Sequence, residues 1–250
     1  MKRALLTIAT LVLIVGGSAL SRAEEVPLKV FVLGGTSNMR GRVAAVDNLP
    51  DDRREPLKNV LVYSDGDWVP LEAGKNLVGN EAAFGRAMAK HLDEPIGIYW
   101  VTVASAGDRS PAARINSVVE RARDSGRPIV VAGILLDVSF RDGLQEEKAA
   151  AYKENLIRWI ETTRKELGNA DLPIVMNRAI PPVARTPYLE QIRKDQDSLE
   201  LPQFRVFHCD DVPRSGDNVH FNTEGRLEMG KRFAKEMIPL MKAKKEPQDK

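Results

Sequence analysis

Six short apolar runs, separated by stretches with helical periodicity, constrain this chain more than any other feature it carries. The runs are Leu28–Leu33, Asn59–Tyr63, Ile96–Ala104, Ile129–Leu136, Leu172–Met176 and Phe204–Phe207. Each is rich in Val, Ile, Leu or aromatic residues and has the length of a strand buried on both faces. Between them, Phe84, Met88 and Leu92 recur every four residues, and Tyr152, Leu156, Trp159/Ile160, Thr163 and Leu167 follow the same rule. Phe233, Ala234, Met237, Ile238 and Met241 repeat it near the end, so each stretch has one apolar face. Gly168, Pro187 and the Thr223-Glu224 pair mark helix boundaries. Strands alternating with helices predict an α/β fold with a mostly parallel sheet covered on both faces. In such sheets function gathers at the carboxyl ends of the strands.

Charge narrows the partners. Met1–Ala23 contains Lys2, Arg3 and Arg22 and no acid, so the rest of the 250-residue chain holds 34 basic and 35 acidic side chains. A remainder so nearly neutral offers no basic face to nucleic acid or to an anionic membrane. Residues 1–23 read as a signal peptide: a basic start, the apolar run Ala4–Leu20, and Ser21-Arg22-Ala23 before a cut at Glu24. The other reading of that run is an uncleaved anchor, which Gly16-Gly17-Ser18 disfavours. Cleavage would leave no stable membrane insertion and would place the protein in the periplasm or outside the cell. Cys209 is the single cysteine, so no internal disulfide is available and stability must come from the core. There is no internal repeat or linker, so residues 24–241 are expected to form one domain. Val43–Leu57, with Pro50 and Pro56, reads as a surface loop, and 242–250 as a charged tail.

Two segments carry chemistry. The first strand runs into Gly34-Gly35-Thr36-Ser37-Asn38-Met39, where glycines permit a sharp turn that presents a serine outward. The same residues also make an ordinary turn, and they lack the spacing of a phosphate loop. The second segment, Asp217-Asn218-Val219-His220, lies 180 residues later. A nucleophilic serine needs a base that titrates near neutrality, and that base needs an acceptor to fix its tautomer. His220 and Asp217 can supply both, although a solvent-facing loop histidine has the same local sequence. His91 and His208 sit in or beside regular elements and compete poorly. Neighbours along a strand point to opposite faces, so His208-Cys209-Asp210-Asp211 is not expected to bind a metal.

Together, Val30–Arg42 and Asp217–Asn222, with Gly225 and Gly230–Ala234, resemble the nucleophile and Asp-x-x-His-Phe blocks of the sialate O-acetylesterase and acetylxylan esterase-like carbohydrate esterases of the SGNH hydrolase superfamily. Trp68–Leu71, Gly79–Phe84 and Ala151–Pro173 fit the family order, so the resemblance spans about Val26 to Leu240. It implies a three-layer αβα sandwich with a five-stranded, mostly parallel sheet. It also implies Ser37 as nucleophile, His220 as base, Asp217 as its orienting acid, and the Ser37 and Gly107 N–H groups as oxyanion donors. Apart from the resemblance, Asn80 is a candidate for binding substrate, and Arg109 could line an anionic pocket for it or be a solvated loop charge. Neither a metal nor an organic cofactor is implied.

Two positions depart from the family pattern. Thr36 replaces a glutamine before the serine. After the fourth run the family reads Trp-His-Gln-Gly-Glu-Ser-Asp, whereas this chain reads Leu136-Asp137-Val138-Ser139-Phe140-Arg141-Asp142. Val138 therefore stands in place of an oxyanion glutamine and cannot donate a hydrogen bond. Losing one such donor costs roughly a hundred- to a thousandfold in turnover, which weakens an esterase without abolishing it. The expectation is an exported serine esterase acting on an acylated carbohydrate. The rival expectation is an inactive relative that binds glycans or serves as an interaction domain.

Overall fold

The computed structural model describes residues 26–40, 49, 55–72, 79–138, 140–180 and 186–242. The expected leader, most of the 43–57 loop and the charged tail lie outside the described residues.

All six apolar runs form strands, and a seventh joins them. β1 (Leu28–Gly35), β2 (Leu57–Ser64), β3 (Asp67–Leu71), β4 (Ile96–Thr102), β5 (Ile129–Asp137), β6 (Ile174–Asn177) and β7 (Phe204–Phe207) make one sheet in the order β3-β2-β4-β1-β5-β6-β7. The five strands implied by the resemblance are thus seven. The extra antiparallel edge strand, β3, arises from a hairpin at Asp65-Gly66, whose φ values are 51° and 93°. Positive φ at both central residues matches the twist of a two-residue hairpin, and Asp-Gly is the pair that tolerates it. Pro70 is accommodated because β3 lies at the edge of the sheet.

The remaining neighbours pair in parallel. Alternation along the strands sorts side chains between two helical layers. Phe31, Leu33, Leu135 and Val175 face α2 (Glu81–Leu92) and α7 (Thr223–Lys242). Val32, Ile134, Leu136 and Met176 face α3 (Ala112–Asp124), α5 (Tyr152–Glu166) and α6 (Leu189–Asp197). These strand positions are fully buried, each contributing about 1.5–3 kcal/mol relative to exposure. The first layer locks through edge-on ring pairs, Phe31 with Phe84 at 5.1 Å and Phe207 with Phe233 at 4.9 Å.

Close packing of α7 on α2 depends on one glycine. A Cβ on Gly230 would lie 2.3 Å from the Asn80 carbonyl oxygen and 2.8 Å from the Phe84 nitrogen. Without that Cβ, the start of α2 rests on α7, and Arg226, one turn earlier, comes beside Glu81. The strand order also matters for the site. β1 is central and ends between β4 and β5, so whatever follows Gly35 emerges at the carboxyl edge where open α/β sheets bind ligands.

Candidate active site

Ser37 opens the short helix α1 (Ser37–Arg40) directly after β1. The turn needs glycine for space, not for unusual backbone angles: neither Gly34 nor Gly35 has positive φ. A Cβ on Gly35 would sit 2.7 Å from Met39 Cβ and 3.1 Å from the Asp137 carbonyl oxygen. The chain therefore folds back on itself within four residues, held by the N–H groups of Met39 and Arg40 donating to the Thr36 carbonyl at 3.1 Å each. Met39 is buried beneath the turn, while Ser37 stays partly exposed.

The His220 segment comes from the far edge of the sheet. β7 is three strands from β1, about 14 Å at the usual strand spacing, and residues 208–222 return across that distance. Near its end the loop closes on itself. Ser215 N–H donates to the His220 carbonyl at 2.7 Å and Asn218 N–H to the Ser215 carbonyl at 2.9 Å. Asn218 has a φ of 56°, a conformation asparagine adopts more readily than most residues. Asp217 organises the loop from within. Its Oδ1 accepts from Ser215 Oγ at 2.6 Å and from the Val219 and His220 N–H groups at 2.9 Å each. Its Oδ2 lies 2.6 Å from His220 Nδ1. On the other side of the ring, Nε2 is 2.9 Å from Ser37 Oγ. Desolvation pushes the Asp217 carboxyl upward, but these hydrogen bonds, led by the one from the His220 ring, outweigh it and hold the group well below the usual carboxylate range.

Asn38 joins the two segments. Its Nδ2 donates to the Val219 carbonyl at 3.1 Å, and its Oδ1 accepts from Phe221 N–H at 3.2 Å. From the interior, Arg226 donates to the Asn38 carbonyl at 3.0 Å and approaches that of Ser37 at 3.5 Å. Arg226 is fully buried and faces two buried carboxyl groups, Glu81 and Asp137. Burial raises Glu81 to about 8, opposed by the Gly79 N–H, its own N–H and the Arg226 charge. Burial also raises Asp137, opposed by a hydrogen bond from Asn177 and by Arg226. A polar layer thus underlies the serine turn.

Among the described residues, a cavity of about 40 Å³ opens at Ser37, lined by Thr36, Asn38, Asp137, Val138, Phe140, Ile180 and Val219. Val138 therefore lines the cavity at Ser37. Gly107 is exposed, and its N–H donates to Ser105 Oγ at 3.1 Å. Ser105 Oγ in turn lies 2.6 Å from Asp142 Oδ1, and Asp142 Oδ2 accepts from Ala106 N–H at 2.9 Å. Asp142, the one residue of the altered segment that matches the family, thus pins the Gly107 loop.

Two of the residues expected at the substrate are placed elsewhere. Asn80 is fully buried where α2 begins, with its Nδ2 3.6 Å from Met39 Sδ. It lies under the turn against Met39 and is not among the residues lining the cavity at Ser37. Arg109, exposed, and Gly107, the expected oxyanion donor, both line a separate groove between α3 and α5 and are not among the residues lining the cavity at Ser37. In the His208–Asp211 stretch the side chains diverge. His208 meets Asp197 at 3.3 Å, Asp211 meets Arg232 at 2.6 Å, and Cys209 is buried, its thiol pushed up to about 12 by desolvation.

Sequence reasoning did not find Arg226 or the Asn38 bridge. Arg226 lies in the first turn of α7, where an arginine normally faces solvent. Nothing in the local sequence shows that α2 and Gly230 enclose it. Asn38 carried a weak signal, since it directly follows the serine.

Comparison with known proteins places the chain in a family. Residues 27–239 match the family model described as carbohydrate esterase, sialic acid-specific acetylesterase. The chain is 24% identical over 233 residues to "Probable carbohydrate esterase At4g34215" of Arabidopsis thaliana, covering 82% of this chain and 88% of that one. The X-ray structure of the At4g34215 protein has the same fold, with a TM-score of 0.72 at 22% identity, over 85% of this chain and 98% of that chain. XAC1771, a carbohydrate acetylesterase from Xanthomonas citri, gives a TM-score of 0.66 at 15% identity, over 86% of this chain and 57% of that chain. With the family model covering nearly the whole described fold, the chain belongs to the sialic acid-specific acetylesterase family of carbohydrate esterases, a family of ester-hydrolysing enzymes.

Proposed function

We propose that this protein is an exported serine esterase that removes acetyl or other short acyl groups from carbohydrate. The observation that carries this reading is the unbroken hydrogen-bonded line from Asp217 through His220 to Ser37, at 2.6 and 2.9 Å. Successive members lie within the reach that proton transfer requires.

In this reading Asp217 holds Nδ1–H, leaving Nε2 free to take the Ser37 proton as Oγ attacks the acyl carbonyl carbon. The carbonyl π pair moves onto oxygen, and the resulting oxyanion meets the Ser37 N–H, a first-turn donor without an intrahelical partner. The intermediate collapses, the sugar oxygen leaves with the proton carried by His220, and Ser37 retains the acyl group. Water, deprotonated by the same ring, then releases the acid and restores the serine. Asp217, held strongly acidic, stays ionised and stabilises the imidazolium throughout. The small cavity bounded by Val138, Phe140 and Ile180 suits a short acyl group better than a long chain.

The test is hydrolysis of a small activated acetyl ester and of an acetylated polysaccharide by the wild type, Ser37→Ala and His220→Ala. Either substitution should abolish turnover, and the pair together should cost little more than one alone, because nucleophile and base act as a unit. Equal rates for wild type and Ser37→Ala would overturn the proposal. Export rests on the signal-like residues 1–23. Mass spectrometry of the secreted protein should find Glu24 at its N-terminus, and a retained Met1 would indicate an anchor.

A second reading, a glycan-binding domain without turnover, is favoured by two observations: the apolar Val138 at the serine and the engagement of the Gly107 N–H by Ser105. It requires acetylated glycan to bind wild type and Ser37→Ala equally, with no acid released.

A further inference from the structure

We propose that Asn38 is a positioning residue: its side-chain amide sets the approach of His220 to Ser37 by gripping the backbone on both sides of the histidine. This rests on the reading of Ser37 and His220 as nucleophile and base.

The loop bearing His220 leads into α7, and the turn bearing Ser37 follows β1, so the two reach the site from different parts of the chain. Asp217, Ser215 and Asn218 close the loop internally, so the Asp217–His220 contact survives wherever the loop docks. The turn is fixed to its own strand by Thr36 and to α7 by Arg226. Arg226 brings α7, and with it the end of the loop, beside the turn, but no bond in either set runs from the turn to the backbone flanking His220. Both polar atoms of the Asn38 amide cross that gap. They meet Val219 and Phe221, the two residues that flank His220. Phe221 is buried in the core on α7's side of the sheet, and Val219 lines the cavity at Ser37. The clamp therefore ties the histidine's backbone to the residue next to the nucleophile.

The chemistry at this position selects asparagine. The Val219 carbonyl requires a donor and the Phe221 N–H an acceptor, side by side, which a primary amide supplies in one orientation only. Aspartate keeps the acceptor and loses the donor. Alanine loses both, and glutamine adds a methylene to a fixed span. A displacement of the order of 1 Å between reacting groups costs up to about a hundredfold in rate, so a clamp of this kind acts on turnover and not on substrate affinity.

The experiment uses the full chain with Asn38→Ala and Asn38→Asp. With a small activated acetyl ester, Asn38→Ala should lower kcat about 10- to 100-fold with KM essentially unchanged, and Asn38→Asp should fall between it and wild type. A second readout needs no activity. In 15N-labelled protein at fixed pH, Ser37→Ala should move the His220 Nε2 resonance in the wild-type background, because Oγ is its partner. In the Asn38→Ala background the same substitution should move it little, while the low-field Nδ1 proton shared with Asp217 persists. If wild type has no esterase activity but the resonance coupling is lost in Asn38→Ala, the functional reading fails and the positioning role stands. Full kcat in Asn38→Ala, a rise in KM alone, or an undiminished response of His220 to Ser37→Ala would each overturn the proposal. If Asn38→Ala does not fold, the near-isosteric Asn38→Asp gives the same readouts.

Discussion

Arg226 holds the carbonyl of Asn38 from inside the protein, at 3.0 Å, while the Asn38 side chain reaches outward to the loop of His220. One residue of the serine turn is thus fixed by its backbone to the core and by its side chain to the histidine loop. The arginine is fully buried, and its charge is tolerable because Glu81, Asp137 and Asp217 face it.

That arrangement predicts a large effect of Arg226→Met on stability. The substitution keeps much of the apolar stem but strands two buried carboxyl groups and frees two carbonyls. Removing one partner from a buried charged cluster typically costs about 3–5 kcal/mol. Urea unfolding of the purified variant above pH 8, where Glu81 is ionised, should show a loss of that size with an unchanged m-value, and a smaller loss near pH 6, where Glu81 is protonated. A loss below about 1 kcal/mol would mean that the carboxyl groups are neutral and do not rely on the arginine.

Glu81 gives the pH dependence. Its folded value of about 8 lies above the ordinary 4.5, so between those values the folded state binds more protons than the unfolded state. Stability from this group is fully present below about 4.5 and declines as pH rises through about 8. Glu81→Gln should therefore match wild type near pH 4.5 and exceed it by a few kcal/mol near pH 8. Chemical denaturation at the two pH values checks this, and a constant difference would place the Glu81 titration outside that window. Asp217 acts in the opposite sense. Its folded value is depressed, so its contribution is lost as pH falls below the ordinary carboxylate range.

What the sequence made legible was whatever depended on local pattern. The six apolar runs became strands because buried parallel strands are apolar throughout, and β3 escaped notice because Asp67–Leu71 is short and contains a proline. Its signal lay in Asp65-Gly66 instead. Ser37 and the Asp217-x-x-His220 spacing were readable because each is a short motif. The family order says nothing about the burial of Asn80, whose side chain lies where α2 packs on α7 near Gly230, some 150 residues away. Arg226 and the Asn38 clamp were invisible for the same reason. Both depend on α7 and the 208–222 segment returning to the end of β1, a relation of topology that no local window contains.

The segment after β5 yields the last prediction. Val138 is buried and lines the cavity at Ser37, where the sequence resemblance implies an amide in the family. In this structure the Gly107 N–H, a second donor implied by the family, is held by Ser105. Val138→Gln would aim a new donor at charge that develops only in the transition state, so it should raise kcat more than it lowers KM. A well-held donor is worth about a hundredfold. The gain here should be nearer tenfold, because the neighbouring family residues are also replaced and a loosely supported amide loses much of its value. Ser105→Ala, which releases the Gly107 N–H, should raise kcat as well if that group serves the oxyanion. Steady-state kinetics on the two single variants and the double variant would separate the contributions. If both leave kcat unchanged while Ser37→Ala abolishes turnover, the oxyanion donors beyond the Ser37 N–H come from another part of the site.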